Sequence, residues 1–157
     1  MNRALFMDRD GTVMVDVGYP RRPDDVELLP DAPPTLARLH ELGFKLVVVS
    51  NQSGVGRGLV TADEAEAVHA RFVEALRASG VELDGAYYCP HSPDEGCSCR
   101  KPSPELLERA ARELGLDLPQ SFMVGDRDSD LEAGRRAGCR TIPFRSWADV
   151  YEQVTAA

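Results

Sequence analysis

Ala4-Leu5-Phe6-Met7-Asp8-Arg9-Asp10-Gly11-Thr12 is the stretch on which the reading of this chain turns. A short apolar run ends directly on two carboxylates, Asp8 and Asp10. Open parallel sheets bind their ligands just beyond the carboxyl ends of their strands. Residues i and i+2 of an extended segment point to the same side, so the pair is expected to face one site, and Gly11 permits a sharp turn after it. Carboxylates this close repel unless a cation or a shared proton lies between them. That chemistry fits a nucleophile beside an acid/base group, with a divalent metal to neutralise both. An acidic strand-to-helix turn of purely structural purpose has the same appearance, so the other strand ends must decide.

Moving outward, strand and helix patterns alternate with little slack. Asp31 can cap a first helix opened by Pro33 and Pro34, with Leu36, Leu39 and Leu42 on one face and Gly43 closing it. Lys45–Ser50 is rich in β-branched residues and suits a strand buried on both faces. Thr61-Ala-Asp-Glu64 is a capping box opening a helix that carries Ala65, Val68, Phe72 and Leu76 and ends at Gly80. Ala86–Cys89 is a third short strand, and Ser103-Pro104-Glu105 starts a helix with Leu107, Ala110, Ala111 and Leu114 that stops at Gly115. Ser121–Gly125 is a fourth strand, followed by a helix from about 130 to 137, a strand over Arg140–Pro143 and a docking helix over Trp147–Val154. The alternation predicts an α/β, doubly wound, Rossmann-like parallel sheet with right-handed crossovers. Residues 1–157 are expected to form one domain without a large cap.

Composition sets outer limits. A hydrophobic fraction of 43% and a charged fraction of 28% are ordinary for a globular chain. The formal charge of −8 argues against nucleic acid as a partner, which calls for a basic surface. No apolar run approaches the length of a membrane span. No signal peptide is visible before the first strand, so a cytoplasmic protein without membrane contact is expected; a monomer is expected as well.

The other strand ends supply what the first one lacks. After the second strand comes Ser50-Asn51-Gln52-Ser53-Gly54-Val55-Gly56-Arg57-Gly58, where a hydroxyl and glycine-permitted backbone N–H groups can cradle phosphoryl oxygens. After the fourth comes Gly125-Asp126-Arg127-Asp128-Ser129-Asp130. Asp126 is expected to complete an oxygen-rich Mg²⁺ site with Asp8 and Asp10, while Asp128 or Asp130 caps the helix. Lys101, after the third strand, offers a cation for charge developing on a phosphoryl group. Any one of these is a weak signal, but successive strand ends carrying all of them are a strong one.

The set Asp8-x-Asp10-Gly-Thr12, Ser50, Lys101 and Gly125-Asp126-x-x-x-Asp130 resembles the haloacid dehalogenase superfamily of phosphatases, and the match in order and spacing spans nearly the whole chain. The resemblance implies that Asp8 is the nucleophile of an aspartyl-phosphate route and Asp10 the acid/base. It implies Mg²⁺ on the Asp8 carboxylate, the Asp10 backbone carbonyl and Asp126, with Ser50 and Lys101 holding the transferring phosphoryl group.

Cys89-Pro-His91-Ser-Pro-Asp-Glu-Gly-Cys97-Ser-Cys99 is independent of that set. It concentrates three of the four cysteines and one of the three histidines. Thiolate and imidazole at this spacing fit a closed tetrahedral Zn²⁺ site, structural because four protein ligands leave no open position. A disulfide is the rival reading, but three cysteines leave one over. The loop 89–99 would then fix Arg100 and Lys101. Cys139 reads as a buried thiol, and His40 and His69 as structural or solvent-facing residues.

The cysteine array followed by Arg100-Lys101-Pro102 is similar to the branch of that superfamily holding heptose bisphosphate and histidinol-phosphate phosphatases, which lack a cap domain. It implies a small phosphorylated metabolite as partner, with a sugar bisphosphate and carbohydrate metabolism favoured by Asp16-Val-Gly18-Tyr19 and Asn51–Gly58. Substrate contacts are then expected from Asp16, Gly18, Tyr19, Asn51, Gln52, Ser53, Arg57, Arg100 and Arg127, with Arg100 suited to a second phosphate. Met14 and Val17 stand where the heptose pattern often has Asn and His. Histidinol-phosphate phosphatase is the enzymatic alternative. A zinc-containing binding module without catalysis would be expected to lack Asp8, Asp10, Lys101 or Asp126, and all four are present. A DNA 3′-phosphatase is disfavoured by the acidic charge.

Overall fold

The computed structural model describes residues 1–157. Ala4–Met7 forms β1, Lys45–Asn51 β2, Gly85–Cys89 β3, Phe122–Gly125 β4 and Arg140–Pro143 β5. All five pair in parallel in the order β3-β2-β1-β4-β5, so the strand bearing Asp8 is central. Met7 lies opposite Val48 on one side and Val124 on the other. This register brings the ends of β1, β2 and β4 to one level, and each end carries polar residues beyond it.

Five helices flank the sheet: α1 (Ala32–Glu41), α2 (Ala62–Ala78), α3 (Glu105–Leu114), α4 (Asp128–Ala137) and α5 (Trp147–Ala156). Alternate residues of β1 serve opposite cores. Leu5 and Met7 join Leu36, Leu39, Phe72, Leu76, Trp147 and Val150 on the side of α1, α2 and α5. Ala4 and Phe6 join Leu106, Leu107, Ala110 and Ala133 on the side of α3 and α4. A strand buried on both faces reads as a continuous apolar run, which accounts for Ala-Leu-Phe-Met and for Leu-Val-Val-Val in β2. No separate cap covers the carboxyl ends of the strands. No helix is long and apolar enough to cross a membrane.

Several local expectations need correction. Leu42 is not on the buried face of α1. It follows the last helical residue and is 47% exposed. Asp31 precedes α1 without a capping hydrogen bond from its side chain. The fourth helix starts at Asp128, two residues early, because Arg127 occupies the cap position and the Asp130 carboxylate reaches back to its N–H. The capping box of α2 forms as its sequence predicts, with reciprocal Thr61–Glu64 hydrogen bonds of 2.9 and 3.0 Å.

Candidate active site

Asp8 follows β1 and is tied to β4 by its N–H, which donates to the Val124 carbonyl at 3.1 Å. The residue is 7% exposed. Beyond it the chain turns tightly, with the N–H groups of Val13 and Met14 both donating to the Arg9 carbonyl. Gly11 makes that turn at φ +85°, and a Cβ there would lie 2.6 Å from Asp126 Oδ2. The position therefore needs glycine twice, for its backbone and for the space Asp126 takes.

Lys101 is the pivot of the site. It is 2% exposed, and its Nζ donates to Val49 O at 2.9 Å, Asp8 Oδ1 at 3.1 Å and Asp130 Oδ1 at 2.5 Å. Burial works against the ammonium, but the carboxylates of Asp8 and Asp130 outweigh it and hold its pKa above the ordinary lysine value. The Lys101 backbone is clamped by Asn51, which accepts from its N–H at 2.9 Å and donates to its carbonyl at 3.2 Å. Carboxylate oxygens of Asp8, Asp126 and Asp130 lie within 4.8 Å of one another. Burial and the neighbouring Asp8 charge raise the Asp126 pKa above its ordinary value. Lys101 offsets two of these three carboxylates, and the repulsion left among the hard oxygen donors is what a divalent cation relieves.

Asp10 stands apart from that cluster. Its carboxylate accepts from Arg9 Nε at 2.7 Å and Gln52 Nε2 at 3.3 Å. The same Gln52 nitrogen donates to Ser50 Oγ at 2.8 Å, which joins the β2 hydroxyl to Asp10.

Asp8, Asp10, Ser50, Gln52, Lys101 and Asp130 open onto a cleft of about 770 Å³. The residues expected to contact substrate all line it, although they differ in what they do there. Asp16 accepts from the Gly18 N–H at 2.9 Å and pairs with Arg127 at 3.7 Å, bracing one rim. Tyr19 is 44% exposed at the mouth. Ser53 Oγ accepts from Arg57 Nε at 3.1 Å, and Arg57 is exposed. Arg100 has a buried Nη1 with no partner. Arg9, Tyr88 and His69 carry no sequence signal for the site, and Asp130 signals only a helix cap. Yet all four line the cleft, with His69 Nδ1 2.8 Å from the Tyr88 hydroxyl.

The cysteine loop braces the same cleft from behind. The Gln52 N–H donates to the Cys89 carbonyl at 2.7 Å and the Gly56 N–H to the Pro90 carbonyl at 2.8 Å. Sγ of Cys89 lies 3.5 Å from that of Cys97 and 2.8 Å from that of Cys99. The three thiols form one group from which His91 is absent, its Nδ1 lying 2.6 Å from Glu95 Oε2. Cys139 is buried elsewhere, where burial pushes its thiol up to about 12.

A five-stranded parallel sheet with carboxylates after β1 and β4, a hydroxyl at the end of β2 and a buried lysine between them defines a phosphatase of the haloacid dehalogenase type. The Hydrolase_like family model (HAD-hydrolase-like) matches residues 98–146. The chain is 43% identical over 137 residues to the D-glycero-beta-D-manno-heptose-1,7-bisphosphate 7-phosphatase of Helicobacter pylori, covering 87% of this chain and 79% of that protein. It is 41% identical over 145 residues to the protein of that name from Yersinia pestis, covering 88% and 77%. Among solved structures, the D,D-heptose 1,7-bisphosphate phosphatase of B. bronchiseptica, complexed with magnesium and phosphate, superposes with a TM-score of 0.88 at 32% identity, covering 98% of each chain. The chain belongs to the D-glycero-D-manno-heptose-1,7-bisphosphate 7-phosphatase family.

Proposed function

We propose that this protein removes the 7-phosphate of D-glycero-D-manno-heptose 1,7-bisphosphate through an aspartyl-phosphate on Asp8, with residues 1–157 acting as one phosphatase domain. The observation that carries the substrate reading is Arg100, whose buried Nη1 has no partner in a cleft already supplied with Lys101 for the transferring group. A buried donor left unpaired is costly, and guanidinium binds phosphate bidentately. A substrate with a second phosphate would satisfy it.

In this reading an Asp8 oxygen attacks phosphorus while the bond to the leaving sugar oxygen breaks, and Asp10 gives that oxygen a proton. Water then attacks the aspartyl phosphate, Asp10 takes its proton, and Asp8 and inorganic phosphate are regenerated. Lys101 and Ser50 hold the phosphoryl oxygens as charge shifts onto them. Mg²⁺ fits the all-oxygen donor set, and Asp8, Asp126 and the Asp10 carbonyl would hold it beside Asp130. When bound it supplies neutralisation of carboxylate and phosphoryl charge.

Cys89, Cys97 and Cys99 fit a structural Zn²⁺ by their sulfur chemistry. His91 is the candidate fourth ligand once its ring leaves Glu95 for the thiols.

The test is phosphate release in Mg²⁺, comparing the heptose bisphosphate, histidinol phosphate and a hexose bisphosphate by kcat/KM, with Asp8→Asn as blank. We expect a preference of about 100-fold for the heptose bisphosphate, lost in Arg100→Ala. A higher value for histidinol phosphate, with Arg100→Ala without effect, overturns the substrate assignment.

A further inference from the structure

We propose that Arg9, a residue outside the set described above as holding phosphate or metal, positions the Asp10 carboxyl group for protonation of the leaving oxygen. The inference rests on the reading of Asp10 as the acid/base. An arginine between two aspartates would normally extend into solvent, whereas Arg9 is 3% exposed. Its guanidinium carbon lies 5.3 Å from the centre of the Tyr88 ring and 5.9 Å from that of Phe72, which walls it in. Its donors go to three acceptor atoms on two residues. Nε meets Asp10 Oδ1 at 2.7 Å, while Nη2 spans Asp10 Oδ2 at 3.5 Å and Gln52 Oε1 at 2.9 Å.

Gln52 closes the ring from the other side by donating to Asp10 Oδ2 and to Ser50 Oγ. Both carboxylate oxygens of Asp10 are thus addressed by groups that are themselves fixed. A freely rotating carboxyl would reach the leaving oxygen only part of the time, and a small misplacement of a reacting group is enough to cost much of its rate contribution. The planar fork of an arginine holds a carboxylate in one plane, which a lysine cannot do. Arg9 also lines the cleft, so the rival role is direct binding of the phosphoryl group.

Leaving-group chemistry separates the two roles. A sugar alkoxide needs a proton as it departs, and p-nitrophenolate does not. A phosphate-binding or purely structural residue matters equally for both esters. We therefore expect Arg9→Gln to lower kcat/KM for the heptose bisphosphate by about tenfold or more, part of the whole acid/base contribution, and to change that for p-nitrophenyl phosphate by less than about threefold. Asp10→Asn should show the same split, larger. Arg9→Lys keeps the buried charge and serves if Arg9→Gln does not fold, with a smaller split of the same sense expected. Equal losses on both esters, or no loss on either, overturn the proposal. If Asp10→Asn shows no split, the acid assignment itself falls and takes the proposal with it, a result distinct from failure of the Arg9 variants alone.

Discussion

At the scale of single residues, Lys101 is a charge almost wholly buried. Its ammonium is held by Asp8, Asp130 and the Val49 carbonyl. Removing one partner of a buried ion pair leaves the others uncompensated and typically costs about 3–5 kcal/mol. Lys101→Met preserves the volume and removes the charge. It is expected to lower unfolding free energy by about that amount in denaturant titration and to reduce kcat by about 100-fold or more. A variant of unchanged stability would show that Asp8 and Asp130 tolerate each other without the lysine. The same scale shows what could and could not be read beforehand. Asp8, Lys101 and Asp126 follow strands, and strand ends are visible as breaks in apolar runs. Asp128 or Asp130 is expected to cap the helix, but Arg127 holds the cap position and Asp130 lies one turn in. One Asp130 oxygen accepts from the Arg127 N–H and the other from Lys101, and sequence spacing does not report that second contact. Arg9 gives no sequence signal because burial of its charge depends on rings from β3 and α2 that arrive from far along the chain. Met14 and Val17, the departures from the heptose pattern, do not line the cleft: Met14 is in the core, and Val17 is half exposed between the lining residues Asp16 and Gly18.

At the scale of elements, the last helix is tied to the catalytic turn. Trp147 opens α5, and its buried Nε1 donates to the Thr12 carbonyl at 2.8 Å, two residues beyond Asp10. The ring also packs against Phe144, with centroids 5.5 Å apart. Trp147→Phe retains most of the apolar surface and deletes the donor, leaving a buried carbonyl unpaired. The expected loss is about 1–3 kcal/mol of stability, with a drop in phosphatase kcat as the turn after Asp8 loosens. Unfolding curves and steady-state rates on the same preparation check both halves. The helix itself was legible from its apolar spacing. Its hold on the nucleophile turn was not, since a tryptophan in an amphipathic segment is more often only a piece of core.

At the scale of the whole molecule, the alternating pattern was enough to specify a parallel α/β sheet, because only buried strands and crossover helices satisfy it. The strand order follows from pairing across the molecule and had no local signal. The cysteine loop is where sequence and structure differ in detail: three thiols converge, and His91 turns to Glu95 instead. This loop supports the cleft through the Cys89 and Pro90 carbonyls, so loss of its metal should be felt at a distance. A chelator that strips zinc is expected to abolish activity even with Mg²⁺ in excess, with the loss reversed by adding zinc. Full activity after metal analysis shows zinc gone would end the structural role assigned to the cluster.

The central placement of β1 has a consequence in time. During synthesis the chain emerges from its amino-terminal side, so the strand carrying the nucleophile is made before the other four strands of its sheet. Its neighbour on one flank, β2, follows soon, but the edge facing β4 waits for Phe122–Gly125, and the turn beyond Asp8 waits for Trp147. A nascent chain therefore carries an open, apolar strand edge of the kind that invites mispairing. Its chemistry waits as well, because Asp8 acquires Lys101 and Asp126 only as those later segments leave the ribosome.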